Sequence, residues 1–350
     1  MWRRTPVAVT ARTPMRPVES WLYPAPLGLY CEPGKFYIDP PRPVDRALIT
    51  HGHSDHARSG HGHVLATAET IDIMKVRYGA NCAGDFQTAE LGSAQSINGV
   101  AVRFVPAGHI LGSAQIVLEY DGRRAVVSGD YKRASDPTCR PFELVPCDVF
   151  VTEATFALPV FRHERADSEA RRLIQSIARN PERTHLLGVY GLGKCQRMIA
   201  LLRAEGYDAP IWLHGALVGL TALYQNLGID LGNCRPASTA TDAELKGALA
   251  MCPPSALMDR WSRRMGEDPV RVFASGWMRV RGRARQRGVE LPLIVSDHAD
   301  WPELLDTIVA TGAEDVWVTH GRDDALVHQL SLMGRRARAL ALVGYDDDAE

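Results

Sequence analysis

A histidine-rich loop directly follows an apolar segment near the start of the chain. This loop restricts the chain to folds that build a metal site at the end of a strand. Residues 46–50 predict a strand, which leads into His51-Gly-His53-Ser-Asp55-His56. Imidazole and carboxylate suit zinc, iron or manganese, and because one residue separates His51 from His53, both can bind the same ion. Asp55 and His56 can then reach a second ion a few ångströms away. We therefore predict a dinuclear metal site; the alternative is a surface loop that happens to contain histidines.

Three later strand ends carry a residue that could complete this site. They are His109 after residues 102–105, Asp130 after residues 125–128, and His320 after residues 316–319. A glycine stands next to each of them, and glycine allows the backbone to approach a metal ion closely. Each would be an ordinary loop residue if it stood alone, but their shared position after a strand predicts a joint role as metal ligands.

The hydrophobic pattern changes in the middle of the chain, whose 350 residues suit two lobes or one domain with a large insertion. Up to about residue 151, short apolar runs broken by glycine, proline and aspartate predict strands, with a hairpin turn at Tyr120-Asp-Gly-Arg123. From residue 167, amphipathic helices alternate with strands. The predicted helices cover residues 167–180, 194–205, 302–311 and 325–333, and the strands among them cover residues 184–189, 210–213, 293–296 and 316–319.

These changes divide the chain into four predicted parts. Residues 1–20 are rich in arginine and proline, have no acidic residue before Glu19, and predict a flexible basic arm. The alternatives are a gene start assigned too early, with Met15 as the initiator, and an organellar transit peptide. Residues 21–166 form the first part of a core, residues 167–289 an α/β insertion, and residues 290–350 the second part of the core. No internal repeat or low-complexity linker interrupts this order.

Composition excludes several classes of protein. The 40 basic and 41 acidic residues nearly cancel, so the net charge of −1 excludes neither nucleic-acid nor small-molecule partners. No apolar run approaches the roughly 18 residues that a membrane span needs, so we expect that this chain is not an integral membrane protein. The seven cysteines are scattered without a C-x-x-C pair, which indicates reduced thiols in a cytoplasmic protein and neither a disulfide framework nor a zinc ribbon.

Taken together, the four metal motifs resemble those of the metallo-β-lactamase superfamily. Two further features are similar to its β-CASP nuclease branch: Glu153 after a predicted strand, and His298 in Ser-Asp-His-Ala-Asp, with an inserted domain between them. The helix start at Gly191-Leu-Gly-Lys-Cys-Gln-Arg197 fits the same branch. Over about residues 20–345 the sequence resembles the bacterial ligase-associated DNA exonucleases, including residues 37–40, 211–215 and 274–278.

The resemblance implies an α/β fold class, a four-layer αββα metallo-β-lactamase sandwich with an inserted α/β β-CASP domain. It also implies two divalent metal ions as cofactors, with zinc as the expected metal and manganese as the alternative. One ion would be held by His51, His53 and His109, and the other by Asp55, His56 and His320. Asp130 would bridge the two ions.

Two adjacent cations suit the hydrolysis of phosphodiester bonds, because they activate a water molecule at neutral pH and stabilise charge on the phosphoryl oxygens. The leaving oxygen then needs a proton. His298 is the predicted general acid, since an unperturbed imidazole titrates near neutral pH. Glu153 would orient and charge that imidazole, and with Asp55 these residues form the predicted catalytic set. The alternatives are a structural core histidine and a buried structural carboxylate.

An arginine run at residues 279–287 has five positive charges in nine residues and no acidic residue. On an extended or frayed segment, its alternate spacing would line one face for backbone phosphates; the alternative is a solvated basic loop. The residues with this predicted role are Arg279, Arg281, Arg283 and Arg285. Lys194 and Arg197, at a helix N-terminus after a glycine-rich turn, are also predicted to contact phosphate. That turn lacks the spacing of a Walker loop, which excludes nucleotide binding there.

The function predicted from these features is that of a metal-dependent DNA exonuclease, which the resemblance places in cytoplasmic DNA repair with a DNA ligase and a helicase as partners. An RNA-processing ribonuclease of the same branch is the alternative. A small-molecule metallo-hydrolase would explain the metal loop, but it leaves Glu153, His298 and the insertion without a role. A catalytically silent scaffold is disfavoured because the ligand set is complete.

Overall fold

The computed structural model describes residues 16–286, 288–321 and 323–340. Most of the predicted basic arm (residues 1–15), Arg287 of the arginine run and residues 341–350 lie outside the described residues. The described chain begins with a 3-10 helix (Val18–Ser20), β1 (Leu22–Ala25), β2 (Gly28–Cys31), β3 (Phe36–Ile38), β4 (Arg46–Leu48), β5 (His61–Ala66), α1 (Ala68–Tyr78), β6 (Ala83–Thr88), β7 (Ala94–Ile97), β8 (Val100–Pro106), β9 (Ala114–Tyr120), β10 (Arg123–Val127) and β11 (Val149–Ala154).

The middle and last parts of the chain contain most of the helices. The middle part has α2 (Ala166–Arg179), β12 (His185–Gly188), α3 (Lys194–Ala204), β13 (Ile211–Leu213), α4 (Gly215–Asn226), β14 (Cys234–Pro236), α5 (Asp242–Leu245), β15 (Leu249–Cys252), β16 (Val270–Ala274), α6 (Arg281–Gln286) and β17 (Leu291–Leu293). The last part has α7 (Trp301–Thr311), β18 (Asp315–Gly321), α8 (Asp323–Leu332) and β19 (Arg336–Ala339). Within the described ranges, no helix has the length and apolar character needed to cross a membrane.

Strands β1–β11, together with β18 and β19, build two sheets that pack face to face. The first sheet has the order β1-β2-β3-β4-β5-β6, and the second has the order β19-β18-β11-β10-β9-β8-β7. Successive side chains of a strand point to opposite faces of its sheet, and the inward ones form one buried cluster shared by both sheets. This cluster includes Leu29, Ile38, Leu48, Val102, Ile116 and Val127.

Helices cover the outer faces of both sheets. Helix α1 places Ile71 and Met74 in a buried cluster with Val64 of the first sheet. Helices α7 and α8 cover the second sheet, where Leu304 and Leu326 share a cluster with Phe150. Parallel strands such as β10, β11 and β18 need cover on both faces, and this arrangement supplies it. The predicted four-layer αββα sandwich is confirmed.

A third sheet belongs to the inserted unit between β11 and α7. Its strands pair in parallel in the order β14-β13-β15-β12-β16-β17. Helices α2, α3 and α4 cover one face with Leu173, Met198 and Leu217, while Leu257 packs with Phe273 on the other face. The predicted inserted α/β domain is therefore confirmed. Because β17 pairs with β16, this sheet extends past residue 289, where the predicted insertion ends.

The inserted unit packs directly on the sandwich through a continuous apolar contact. Ile73 of α1 and Ile110, in the loop after β8, belong to the same buried cluster as the side chains of α3 and α4. The hydroxyl of Tyr224 also accepts a 3.4 Å hydrogen bond from the Leu111 backbone N–H. The loops at this edge of the sandwich are thus covered by the insertion.

Most predicted helices are present with their ends shifted by no more than two residues, as α2, α3, α7 and α8 show. The sequence predictions missed α1 and α4. The buried residues of α1, Thr70, Ile71, Ile73 and Met74, lie on one side of the helix, but its exposed Val76 and Tyr78 weaken the hydrophobic contrast that would predict it. Tertiary packing therefore defines this helix. The strand predicted over residues 293–296 is displaced: β17 ends at Leu293, and the residues that follow form the loop with His298.

Candidate metal centre

The predicted metal ligands lie at the ends of strands from both sheets of the sandwich. The loop with His51 and His53 follows β4, His109 follows β8, and Asp130 follows β10. His320 lies in β18 itself, one residue before its end. Because β10, β11 and β18 are parallel, their carboxyl ends meet at one edge of the sheet, and this edge carries the donors.

One group of candidate ligands consists of His51, His53, His109 and Asp130, whose donor atoms lie within 4.8 Å of one another. The Nδ1 atom of His53 is 3.1 Å from His51 Nε2 and 3.0 Å from His109 Nε2. The Oδ2 atom of Asp130 is 3.3 Å from His51 Nε2. Nitrogen ligands about 2.0–2.1 Å from one zinc ion are separated by about 3.0–3.5 Å, so these spacings fit a single bound ion.

In His53 and His109, the ring nitrogens that point away from the donor group explain why a cation fits between the two rings. His53 Nε2 is 3.2 Å from the carbonyl oxygen of Leu192, and His109 Nδ1 is 2.9 Å from that of Asp297. A carbonyl oxygen only accepts, so each of these nitrogens donates a proton. Burial lowers the pKa of both histidines, that of His109 to about 3, so each ring is neutral and has one proton. Two lone pairs therefore face each other at 3.0 Å, which a bound metal ion would stabilise.

A second group consists of His56, Asp130 and His320, with donor atoms again within 4.8 Å of one another. Asp130 Oδ2 is 3.4 Å from His56 Nε2, and the ring centres of His56 and His320 are 4.7 Å apart. Asp55 reaches the same group, with Oδ2 3.7 Å from His56 Nε2. Asp130 is common to both groups, which is the position expected of a bridging ligand. Imidazole and carboxylate donors arranged in this way indicate the use of divalent metal ions.

Negative charge is concentrated around His56. Burial by itself lowers the pKa of His56, but Asp130, Asp55 and Asp39 outweigh it and raise that pKa well above its usual value. Burial raises the pKa of Asp130, but His56 and His298 outweigh it and hold that pKa well below its usual range. A buried carboxylate that stays ionised can bind a cation without first losing a proton.

Asp39 belongs to the site, although the sequence predictions gave it no role. It is buried directly after β3, which runs parallel to β4, so the ends of the two strands meet. Its Oδ2 atom is 2.8 Å from His56 Nδ1, and its Oδ1 atom accepts a 2.8 Å hydrogen bond from the Thr50 backbone N–H. Asp39 thereby orients the imidazole so that Nε2 faces Asp130. A carboxylate at the end of the neighbouring strand is the sequence signal that identifies it.

Glycine next to a donor allows the expected close approach, most clearly at Gly129. Its φ of +54° is in the left-handed region, and a Cβ atom there would lie 2.7 Å from Cβ of Thr50. The turn before Asp130 therefore packs directly on the start of the first histidine loop. Gly108 is similar, since its φ is +74° and a Cβ atom would lie 2.3 Å from the carbonyl oxygen of Lys132.

His298 and Glu153 are paired, and both side chains are buried. His298 Nδ1 is 2.9 Å from Glu153 Oε2, and Glu153 Oε1 accepts a 2.8 Å hydrogen bond from the Tyr131 backbone N–H. The ring centre of His298 is 4.6 Å from that of His109. Burial raises the pKa of Glu153, although His298 opposes the shift. The donor atoms of Asp130, Glu153 and His298 also lie within 4.8 Å of one another, so the geometry permits a ligand role for His298 as well.

The predicted phosphate contacts of Lys194 and Arg197 are wrong, because both side chains are buried. Lys194 Nζ is 3.5 Å from Asp297 Oδ2, and Arg197 Nη1 is 3.3 Å from Asp297 Oδ1. Arg197 Nε is also 3.2 Å from Asp136 Oδ2. Helix α3 begins against the loop with His298 and not at the surface, so its cations neutralise buried carboxylates. These ion pairs hold Asp297, whose carbonyl oxygen orients a histidine of the metal centre.

The arginine run does not form the extended segment that its alternate spacing suggested. Gly276–Arg279 is a 3-10 helix, and α6 begins at the second arginine of the run. Successive residues of an α-helix are rotated by about 100°, so arginines two positions apart point to different sides. The described arginines are nevertheless exposed, as contact with a nucleic acid requires: Arg279, Arg281, Arg283 and Arg285. Arg279 Nη1 is 3.2 Å from Glu164 Oε1.

Comparison with known proteins gives relatives of modest identity, while no family model matches the chain. A protein of Opitutus terrae named probable DNA ligase is 27% identical over 331 residues, which cover 92% of this chain and 31% of that protein. An RNase J-like protein of Methanocaldococcus jannaschii is 25% identical over 52% of this chain and 50% of its own length. Endoribonuclease YSH1 of Mycosarcoma maydis is 31% identical over 50% of this chain and 24% of its own length. The chain thus spans half or less of the length of these curated relatives.

A solved structure has a similar fold. It is a protein of unknown function from Enterococcus faecalis, with a TM-score of 0.54 and 11% identity over 78% of this chain and 74% of that one. At this identity the likeness concerns the fold alone. The sequence relatives and the two donor groups relate the chain, at modest identity, to nucleases of the metallo-β-lactamase and β-CASP type.

Proposed function

We propose that the protein is a metal-dependent DNA exonuclease that hydrolyses phosphodiester bonds with the help of two divalent metal ions. The observation that carries the proposal is the pair of donor groups that share Asp130, with His298 and Glu153 beside them. Zinc is the proposed metal and manganese the alternative, since imidazole and carboxylate suit both. The proposed ligands are His51, His53 and His109 for one ion, Asp55, His56 and His320 for the other, and Asp130 between them.

The residues of the chain have distinct proposed roles in this reaction. Divalent ions, when bound at this centre, supply the Lewis acidity that activates water and neutralises charge on the phosphoryl oxygens. Glu153 accepts a hydrogen bond from the Nδ1–H of His298 and favours the protonated ring, because a carboxylate stabilises an adjacent imidazolium. The opposite nitrogen, Nε2, is then the atom that donates a proton to the leaving oxygen. Tyr131 keeps the carboxylate in place through its backbone N–H.

The choice of DNA over RNA is supported by the relative from Opitutus terrae. Nearly the whole of this chain, 92%, matches within 31% of a longer protein that is named a probable DNA ligase. A chain of this kind joined to a ligase suggests a shared repair pathway. We further propose that a helicase takes part in this pathway and that the protein acts in the cytoplasm. The RNase J-like and YSH1 relatives favour RNA processing as the second candidate, each over about half of this chain.

Incubation with end-labelled single- and double-stranded DNA and RNA of one sequence tests the proposed function. With zinc or manganese, we expect DNA to be shortened stepwise from one end, and metal analysis to give two ions per chain. Internal cuts confined to RNA would favour the second candidate. Hydrolysis of small esters or lactones without cleavage of any polymer would contradict both.

A change of three exposed arginines tests the polymer contact. Replacing Arg281, Arg283 and Arg285 with alanine is expected to weaken DNA binding and to flatten the salt dependence of log K by roughly 0.7–0.9 for each phosphate that the variant no longer binds. Hydrolysis of a small chromogenic phosphodiester should hardly change, because such a substrate reaches only the metal centre. Binding titrations at several salt concentrations measure the slope.

The matched control for this triple variant changes exposed arginines in another part of the insertion, namely Arg260, Arg263 and Arg264. It removes the same charge and should leave the slope as in the wild type. If the two triple variants have the same slope, Arg281, Arg283 and Arg285 make no specific phosphate contact.

A further inference from the structure

An aromatic wall lies between the proposed proton donor and the arginine run. It consists of Phe156, Phe161 and Trp277. The ring centre of Trp277 is 4.8 Å from that of Phe156 and 5.0 Å from that of Phe161. The ring centre of Phe156 is in turn 6.1 Å from that of His298. Phe156 and Phe161 are buried, whereas Trp277 is partly exposed, so the wall has one partly exposed indole that the ring of Phe156 separates from His298.

The backbone around Trp277 fixes this indole in place. The turn after β16 starts at Ser275, whose buried hydroxyl accepts a 3.3 Å hydrogen bond from the Trp277 backbone N–H. Gly276 packs so tightly that a Cβ atom there would lie 2.4 Å from Phe156 and 3.0 Å from His163 Nε2. A side chain held on such a turn loses little further freedom when it binds a ligand.

A cation covers the exposed indole. The guanidinium carbon of Arg283, in α6, lies 4.1 Å from the ring centre of Trp277. A nucleobase that enters between these two planar groups can stack on the indole with one face and on the guanidinium with the other. Planar stacking partners and arginine side chains are the groups with which proteins bind unpaired nucleotides.

We propose that Trp277 and Arg283 form a stacking subsite for an unpaired nucleobase of the polymer, next to the bond that is cleaved. This inference rests on the proposed function. A base inside a duplex has both faces covered by its neighbours, so the subsite takes a base that is single-stranded, frayed or extruded. Stacking does not involve the sugar, so the subsite selects unpaired strands and does not distinguish DNA from RNA.

The test compares two single-stranded oligonucleotides that differ by one missing base. One has a normal nucleotide at its end and the other has an abasic residue there, and each end is tested separately. The wild type should prefer the normal end by about 5- to 150-fold in kcat/KM, the range expected for one stacked base. Trp277→Leu should abolish this preference by slowing cleavage of the normal oligonucleotide, without slowing cleavage of the abasic one. Trp277→Phe, which retains an aromatic ring, should keep part of the preference.

Two arginine variants on one helix give a matched second test that leaves the aromatic wall intact. Arg283→Ala should reduce the preference for the normal end, because the base then stacks without its covering guanidinium. Arg285→Ala, also exposed on α6, should leave the ratio unchanged even if it weakens binding of both oligonucleotides. Equal ratios in these two variants and the wild type would remove Arg283 from the subsite.

Binding gives a readout that does not depend on cleavage. The full chain is titrated with the same oligonucleotides made with phosphorothioate linkages, which resist hydrolysis. When the terminal base is 2-aminopurine, its fluorescence should fall on binding to the wild type, because the base stacks, but not on binding to Trp277→Leu. An unchanged preference in Trp277→Leu, or an equal loss on normal and abasic oligonucleotides, would overturn the subsite. If the wild type cleaves neither oligonucleotide, the proposed function fails, and the binding data still decide the inference.

Discussion

Asp130→Asn should lower nuclease activity by at least about 100-fold while the protein remains folded. The Oδ2 atom of Asp130 is 3.3 Å from His51 Nε2, 3.4 Å from His56 Nε2 and 3.7 Å from His109 Nε2, so one oxygen serves both donor groups. Asparagine keeps the shape of the side chain but removes the negative charge between the two proposed cations. Cleavage of end-labelled DNA and the metal content per chain are the measurements.

The matched control for this variant is Asp85→Asn, which makes the same change at an exposed position on β6. It should cleave DNA at the rate of the wild type. If Asp130→Asn also retained that rate, the assignment of a shared ligand between two ions would have to be abandoned.

His298→Ala should slow cleavage by roughly 10²–10⁴-fold and leave two metal ions per chain. The expected loss is that of a proton donor, because Glu153 holds the imidazole by its Nδ1 atom at 2.9 Å and the donor groups do not need it. Loss of one ion in this variant would instead make His298 a ligand, which the closeness of Asp130, Glu153 and His298 permits. His63→Ala, at an exposed histidine, is the control and should change neither quantity.

The donors of the candidate centre could be predicted because each one is recognisable from the residues next to it in the sequence. A strand followed by a histidine or an aspartate, with a glycine beside it, needs no knowledge of the rest of the chain. The fold then brings these strand ends to one edge of the sandwich, and Asp130 lies within reach of both donor groups. The same argument would have identified Asp39, since it follows the strand next to β4.

The contacts of Lys194 and Arg197 could not be predicted in the same way. A cation at a helix start after a glycine-rich turn resembles an anion site when only neighbouring residues are considered. The partner carboxylate, Asp297, is about 100 residues further along the chain, and its contact with Arg197 is a property of the folded chain. The arginine run could not be interpreted correctly from its spacing either. Residues two positions apart share one face of a strand, but they point to different sides of a helix such as α6.

The hydrogen bond between His53 and the Leu192 carbonyl oxygen couples metal binding to the assembly of the two units. In the described residues, the two donor groups of the metal centre contain no side chain of the insertion, yet the insertion decides which nitrogen of His53 faces the ions. Ligands add their binding free energy only to the states that bind them. We therefore expect bound metal ions to strengthen a contact that the apolar cluster and the Asp297 ion pairs already make, so the loaded protein should unfold at a higher temperature than the stripped protein. The metal content would then change how tightly the inserted unit is held on the sandwich, and thermal unfolding with and without a chelator measures that change.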